Sequence, residues 1–358
     1  MEFLNTIITG TGSYIPTVRI SNSEFTRQTF FEKDKSRIDS PGEVVVDKFR
    51  DITGIAERRW VTGDQTNSDI AAIAGKEAIN SAGIDPDSID HLIVAHNFGD
   101  VINGTIQSDM LPSLAARVKN KLGIRNRSCV AYDIIFGCPG WVQGIIQADS
   151  FIRTGIASRC LVIGSETLSR VVDKYDRDTM IFSDGAGAAI LEGAKSDRRR
   201  GIISSAAVTD SCEDAYYLYL GQSNSPDSNP DVRYIKMHGR KIYEYSLSLV
   251  PRAMKEALDK SGIPVQEVKK ILLHQANEKM DYAIAQRFFR LYGMKPRIPE
   301  VMPMNIYELG NSSVATVPTL YDMILKGDLR DHRIDEGDVI IFASVGAGMS
   351  INAVVYRQ

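Results

Sequence analysis

Cysteine is scarce in this sequence: four residues, Cys129, Cys138, Cys160 and Cys212, among 358. That is too few for a disulfide scaffold, and none forms a C-x-x-C pair, so zinc-ribbon and thioredoxin-type readings are excluded. Histidine is scarce too, at five residues. No histidine or acidic cluster has the spacing of a metal site, so no metal is expected. Long apolar runs are missing: no stretch approaches the roughly 20 residues that span a bilayer. The opening MEFLNTIITGTGSYIP has no basic segment and reads poorly as a secretory signal. An excess of either charge is missing as well. Forty-two basic against 45 acidic residues leave −3, which argues against a nucleic-acid backbone as the main partner. Together these absences predict a cytoplasmic protein with reduced thiols.

What is present is ordinary globular material, 43% apolar and 24% charged, and long enough for two domains or one two-lobed unit. It also repeats itself. Residues 76–94, KEAINSAGIDPDSIDHLIV, resemble residues 255–273, KEALDKSGIPVQEVKKILL. Each reads as a helix, a glycine stop, a polar loop and an apolar run. The tripeptide Gly185-Ala186-Gly187 returns as Gly346-Ala347-Gly348, again between two apolar runs. Two echoes in the same order indicate a duplicated α/β half, with the division expected near 195/196. Apolar runs at 92–96, 160–164, 188–192, 271–275 and 339–343 read as buried strands. Helical patterns cover 67–83 and 141–155, the latter with Ile145, Ile146, Ala148 and Ile152 near one stripe. Alternating strands and helices imply an α/β fold. Segments 27–47 and 221–233 read as insertions or loops, the second rich in Pro, Ser, Asn and Asp.

Three stretches carry candidate chemistry. In CVAYDIIFGCPGWVQGIIQ (129–147), Cys138 falls between a strand-like run and an amphipathic helix. Pro139 suits a first helical turn. A cysteine there feels the positive end of the helix dipole, which favours thiolate. Cys129, Cys160 and Cys212 read as structural. In KKILLHQANEKMDYAIAQRFFRLYG (269–293), His274 closes an apolar run and Asn277 is placed to cap the next helix. Strand ends are where α/β proteins place functional groups. His96 ends a strand in the first half and competes with it. His91 and His332 read as solvated, and His238 as part of a charged loop. In MNIYELGNSSVATVPTLYDMI (304–324), Asn311 follows Gly310 and precedes a helical run. It reads either as a turn residue or as a buried amide in need of partners. GTGSYIP is not a dinucleotide fingerprint, because the third glycine would fall at Ile15.

Taken together, Cys138, His274 and Asn311 form a possible Cys-His-Asn set, and here a resemblance emerges. The sequence resembles the β-ketoacyl-acyl carrier protein synthase III family of the thiolase superfamily. The motifs that carry it are GTGSYIP (10–16), ITGIAERR (52–59), FGCPGW (136–141), VIGSETLSR (162–170), FSDGAGAAIL (182–191), HQAN (274–277), GNSSVATVP (310–318) and VGAGMS (345–350). The resemblance implies a thiolase-like α/β fold of five layers, α-β-α-β-α, and a homodimer. It implies that the Cys138 thiolate attacks an acyl thioester to form an acyl-enzyme. The backbone N–H groups of Cys138 and Ala347 stabilise the oxyanion. His274 and Asn311 then donate to the thioester oxygen of malonyl-acyl carrier protein as carbon dioxide leaves. The carbanion attacks the acyl group, initiating fatty acid synthesis. No cofactor is implied beyond acyl-CoA or acyl-carrier thioesters as substrates.

Several positions depart from the family pattern. A tryptophan that stacks on the adenine of coenzyme A is replaced by Lys48, and a nearby arginine by Ile52. A second arginine of that site is retained as Arg177. The phenylalanine that floors the partner subunit's acyl pocket is replaced by Leu111, ahead of Pro112. Leu111, Arg177 and Gly310 are the expected substrate-binding positions. Lys279, Arg287 and Arg290, at i, i+8 and i+11, share roughly one helix face and are expected to dock an acyl carrier protein. The departures keep open a specialised ketosynthase or acyltransferase of secondary metabolism, such as one making aryl or resorcinol lipids. A non-catalytic subunit that shapes a partner's pocket is the third reading, and the intact Cys-His-Asn set argues against it.

Overall fold

The computed structural model describes residues 2–295 and 298–358. Two sheets organise it. The first contains β1 (Phe3–Tyr14), β2 (His91–Ala95), β3 (Val130–Ile134), β4 (Arg159–Thr167) and β5 (Asp184–Ser196) in the order β1-β5-β4-β2-β3. The second contains β6 (Gly201–Thr209), β7 (Val268–Leu273), β8 (Val339–Gly346) and β9 (Ser350–Arg357) in the order β6-β9-β8-β7. Direction repeats as well as order. β5 is antiparallel to β1 and β4, and β9 is antiparallel to β6 and β8. β2 runs parallel to β4, and β7 parallel to β8. Where the first sheet has β3, the second has no further strand among the described residues; there the Val301 carbonyl accepts from the Ile271 N–H at 2.7 Å.

The main helices are α1 (Gly42–Thr53), α2 (Asn67–Ala82), α3 (Leu114–Lys121), α4 (Gly140–Arg153), α5 (Gly239–Ser261), α6 (Glu278–Arg290) and α7 (Thr316–Lys326). α2 begins with a capping box between Thr66 and Asp69, which satisfies otherwise orphaned N–H groups. The sequence echo falls on matching elements, the ends of α2 and α5 followed by β2 and β7.

Strand alternation explains the layers, because successive side chains point to opposite faces. On the first sheet, Ile93, Ala95, Cys160 and Val162 face inward, while Leu92, Val94, Leu161 and Ile163 face outward against α2 and α3. On the second, Ile340 and Phe342 face inward, while Ile341 and Ala343 face α5 and α6. Between the two inner faces lie α4, with Trp141, Ile145 and Ala148, and α7, with Leu320, Tyr321 and Ile324. The result is the five-layered α-β-α-β-α arrangement. Each large apolar side chain buried there contributes about 1.5–3 kcal/mol.

One of the two loop expectations needs correction. Segment 27–47 is not all loop: α1 starts within it at Gly42 and buries Val45, Val46 and Phe49. The charged residues ahead of it hid a short apolar stripe. Segment 221–233 does connect a hairpin (Leu218–Gly221 with Tyr234–Met237), but it is tied down. The buried Lys236 Nζ reaches Asp173 Oδ2 at 2.6 Å, Asp176 Oδ2 at 2.9 Å and Asn224 Oδ1 at 2.7 Å. No helix among the described residues is long and apolar enough to cross a membrane.

Candidate active site

Cys138 sits just before α4, whose N-cap is Pro139. Trp141 anchors that helix. It is buried, donates from Nε1 to the Val162 carbonyl at 3.2 Å and meets Phe342 edge-on at 5.8 Å. Two glycines let the nucleophile loop touch the loop after β8. A Cβ on Gly137, at φ +65°, would lie 2.6 Å from the Ala347 nitrogen, and one on Gly346 would lie 2.5 Å from the Cys138 nitrogen. Such contacts are available only to glycine. They bring the Cys138 and Ala347 backbones together on one wall.

His274 follows β7 and donates its backbone N–H to the Ala343 carbonyl at 2.9 Å. Asn277 caps α6, accepting from the Met280 N–H at 3.0 Å. Gln275 pins the same loop: its Oε1 accepts from the N–H groups of Asn305 and Ile306, both at 3.0 Å. Asn311 comes from the turn before α7. Its backbone N–H donates to the Ile181 carbonyl at 2.9 Å, and its Oδ1 accepts from the Ser313 N–H at 2.8 Å. With Oδ1 occupied, its amide hydrogens are the group left for the cavity.

Cys138, His274, Asn311 and Ala347 all line one cavity of about 300 Å³. Its other walls are mainly apolar, with Ile135, Leu168, Leu218, Leu220 and Ile235, and Asn97 and Ser313 are on the lining as well. Burial dominates the electrostatics. It pushes the Cys138 thiol up to about 11, against the hydrogen bond from Ser313. It pushes the His274 imidazolium down to about 4, against a backbone hydrogen bond with Ser313. At neutral pH the site therefore holds a thiol beside a neutral imidazole, which has one donor and one acceptor. Such a site suits nucleophilic acyl transfer: a sulfur at a helix start, two side-chain donors and paired backbone N–H groups around an apolar chamber.

Similarity to known proteins agrees with this geometry. The family model for 3-oxoacyl-[acyl-carrier-protein (ACP)] synthase III matches residues 132–211, and its C-terminal counterpart matches residues 258–358. A β-ketoacyl-[acyl-carrier-protein] synthase III of Erythrobacter litoralis is 31% identical over 353 residues, 98% of each chain. That of Cereibacter sphaeroides is 32% identical over 358 residues, 99% of each. The crystal structure of 3-oxoacyl-[acyl-carrier-protein] synthase III from Aquifex aeolicus superposes with a TM-score of 0.79 at 29% identity, covering 99% of this chain and 100% of that one. The chain belongs to the β-ketoacyl-acyl carrier protein synthase III family. It is an acyl-transferring condensing enzyme that forms carbon–carbon bonds, and its family acts with acyl carrier protein.

The remaining sequence candidates of this synthase fall in several places. Arg177 does not line the inner cavity. It lines a wider outer one of about 660 Å³ together with Lys48 and Ile52, and pairs with Glu32 at 3.0 Å. The two cavities share Ile181, Met237, Ile242, Ala276 and Met280 as lining residues, so they lie next to each other. Gly310 lines neither cavity. It turns behind the site, against Arg58 and the Ile181 carbonyl. Leu111 also lines neither and is 89% exposed, because its loop projects ahead of α3. Lys279, Arg287 and Arg290 are exposed on α6, and Arg287 also donates to the Leu247 carbonyl at 3.0 Å.

His96 is excluded as a competitor. It is fully buried, its Nδ1 accepts from the Gly99 N–H, and its Nε2 lies 3.0 Å from Asp133 Oδ2. His91 is not simply solvated but stacks on Phe151 at 4.7 Å, and His332 Nδ1 lies 3.1 Å from Lys270 Nζ.

Sequence reading missed Ser313, Asn97 and Glu166, all at this site. Ser313 and Glu166 sat inside quoted motifs, but their types suggest nothing without the fold. Burial pushes the Glu166 carboxyl from 4.5 up to about 8, against hydrogen bonds from Asn97. Between those values the folded protein keeps a proton that the unfolded chain has released. This contribution therefore falls as pH rises through the window, by up to about 1.4 kcal/mol per pH unit. Glu166→Gln removes the titration, so its stability relative to wild type is expected to rise between about pH 5 and about pH 8. Urea unfolding of both proteins at the two pH values measures this. A constant difference would rule the titration out.

Proposed function

We propose that this synthase loads an acyl group onto Cys138 and condenses it with malonyl-acyl carrier protein, the priming reaction of fatty acid synthesis. The observation that carries the residue roles is the convergence of Cys138, His274 and Asn311 on one apolar cavity beside the Cys138 and Ala347 backbones. In this reading Cys138 Sγ attacks the thioester carbon and His274 accepts its proton. The backbone N–H groups of Cys138 and Ala347 hold the oxyanion; as it collapses the bond to the carrier sulfur breaks, and the carrier leaves as a thiol with the proton that His274 took, which returns the imidazole to its neutral form. His274 and Asn311 then donate to the malonyl thioester oxygen while carbon dioxide leaves, and the enolate carbon attacks the acyl carbonyl; the thioester bond to Cys138 breaks, the product leaves on the carrier, and the freed Cys138 thiolate is reprotonated from solvent. Decarboxylation supplies the carbanion, so the reaction needs no metal or redox cofactor.

The exposed Lys279, Arg287 and Arg290 are proposed to receive the acidic carrier protein. The protein is proposed to be a cytoplasmic homodimer in which the exposed Leu111 reaches the partner's acyl chamber, with the duplicated halves divided near 195/196. A second reading, a specialised ketosynthase with an uncommon starter, is favoured by Lys48 and Ile52 on the outer cavity, where an adenine would otherwise stack. Intact-protein mass spectrometry after incubation with acyl groups of several lengths, on coenzyme A and on carrier protein, tests both. A short-chain adduct supports priming of fatty acid synthesis, and a long or aryl adduct supports the second reading. No adduct from any donor overturns the acyl-enzyme proposal.

A further inference from the structure

A line of polar side chains stands behind Cys138 that the proposed chemistry does not use. Ser313 Oγ donates to Cys138 Sγ at 3.3 Å. Asn97 Nδ2 donates to Ser313 Oγ at 3.3 Å and to Glu166 Oε1 at 2.5 Å. An amide nitrogen carries two hydrogens, so Asn97 serves both partners at once. Because Ser313 Oγ accepts from Asn97, its own hydrogen is directed at the sulfur.

Ser313 also meets the other two site residues. Its backbone N–H donates to Asn311 Oδ1 at 2.8 Å, and its backbone hydrogen-bonds the His274 ring. It is buried, and its φ of +54° lies in the left-handed region that a serine seldom occupies. Such a conformation persists where the surroundings over-determine it, and it clusters at functional sites.

We propose that Ser313 is a positioning residue of this synthase: its hydroxyl holds the Cys138 sulfur as an acceptor, its backbone N–H turns the Asn311 amide hydrogens toward the cavity, and Asn97 with Glu166 fixes the hydroxyl's direction. This rests on the roles proposed above for Cys138 and Asn311. The hydroxyl acts on the thiolate, since a hydrogen bond to the charged form favours it. The titratable groups around the sulfur are Glu166 on β4 and His274 after β7, with Asp184 on β5 next to Glu166. Burial holds the Glu166 proton at neutral pH; above about 8 its carboxylate opposes the Cys138 thiolate, against the Ser313 hydrogen bond.

The test is the pH dependence of Cys138 alkylation by iodoacetamide, read on the Cys138 peptide because Cys212 is exposed and also reacts. Ser313→Ala is expected to move the profile upward by about one pH unit, a roughly tenfold slower alkylation at any pH below the thiol's pKa. Acylation slows with it. Decarboxylation of the malonyl donor stays close to the wild-type rate, because the backbone N–H that holds Asn311 remains. Asn97→Ala is expected to shift the profile the same way by less. An unshifted profile in Ser313→Ala, or equal loss of acylation and decarboxylation, overturns the inference. If Ser313→Ala does not fold, Asn97→Ala decides, and an unshifted profile there overturns it. Cys138→Ala separates the two levels. An acyl adduct on that variant defeats the nucleophile assignment itself, whereas its absence with an unshifted Ser313→Ala profile defeats only the role of Ser313.

Discussion

Cys138→Ala is expected to take up no acyl group from any thioester and to lose condensation by on the order of 10⁴-fold or more, as when a covalent nucleophile is removed. The substitution deletes one sulfur and one hydrogen bond, that from Ser313 Oγ. It leaves the Cys138 backbone N–H, the start of α4 and the glycine contacts at Gly137 and Gly346 in place. Stability should change by no more than about 1–2 kcal/mol, so a folded, unacylated protein isolates the chemistry. Intact mass and product formation are measured together. An adduct of unchanged mass on the variant would move the nucleophile elsewhere, and the remaining cysteines give little choice: Cys129 and Cys160 are buried in the core, and Cys212 is outside the cavity.

Asn311→Ala is the second large effect and separates the two half-reactions. The acyl-enzyme should still form at a rate near that of wild type, since the oxyanion donors of that step are backbone groups. Condensation should fall by about 10²–10³-fold, the usual loss when one preorganised donor to a developing oxyanion is removed. Single-turnover acylation and decarboxylation of a malonyl donor report the two steps separately. Equal loss in both would sink the role assignment. Removing the side chain also strips the Ser313 N–H of its acceptor, a penalty of about 1–3 kcal/mol, so thermal stability is measured alongside. The wild-type decarboxylation profile carries a sign that can be checked as well. His274 stays neutral down to about 4, so no acid limb from its protonation is expected near the ordinary histidine value of about 6.5.

Much of the site was legible in the chain because its cues act within a turn or two. A glycine and a proline around Cys138 set a strand-to-helix corner. An apolar run ending at His274 set a strand end, and Asn277 set the cap of α6. The repeated helix, glycine stop and strand showed the duplication, since both copies rely on the same local rules. Helix α1 escaped because its buried apolar positions, Val45, Val46 and Phe49, follow a long charged stretch, and local composition outweighed periodicity.

The α/β alternation, the repeat, the corner that carries Cys138 and the family motifs are all readable along the chain, because each depends on neighbours in sequence. It is the tertiary packing that brings Cys138, His274 and Asn311 to line one cavity, spends His96 on Gly99 and Asp133, and turns Gly310 away behind the site. It alone placed Ser313 against the sulfur and buried Glu166 deeply enough to hold its proton. The physical reason is that desolvation and donor–acceptor contact are set by which faces the two sheets press together around α4 and α7. Residue types and their spacing do not encode that pairing.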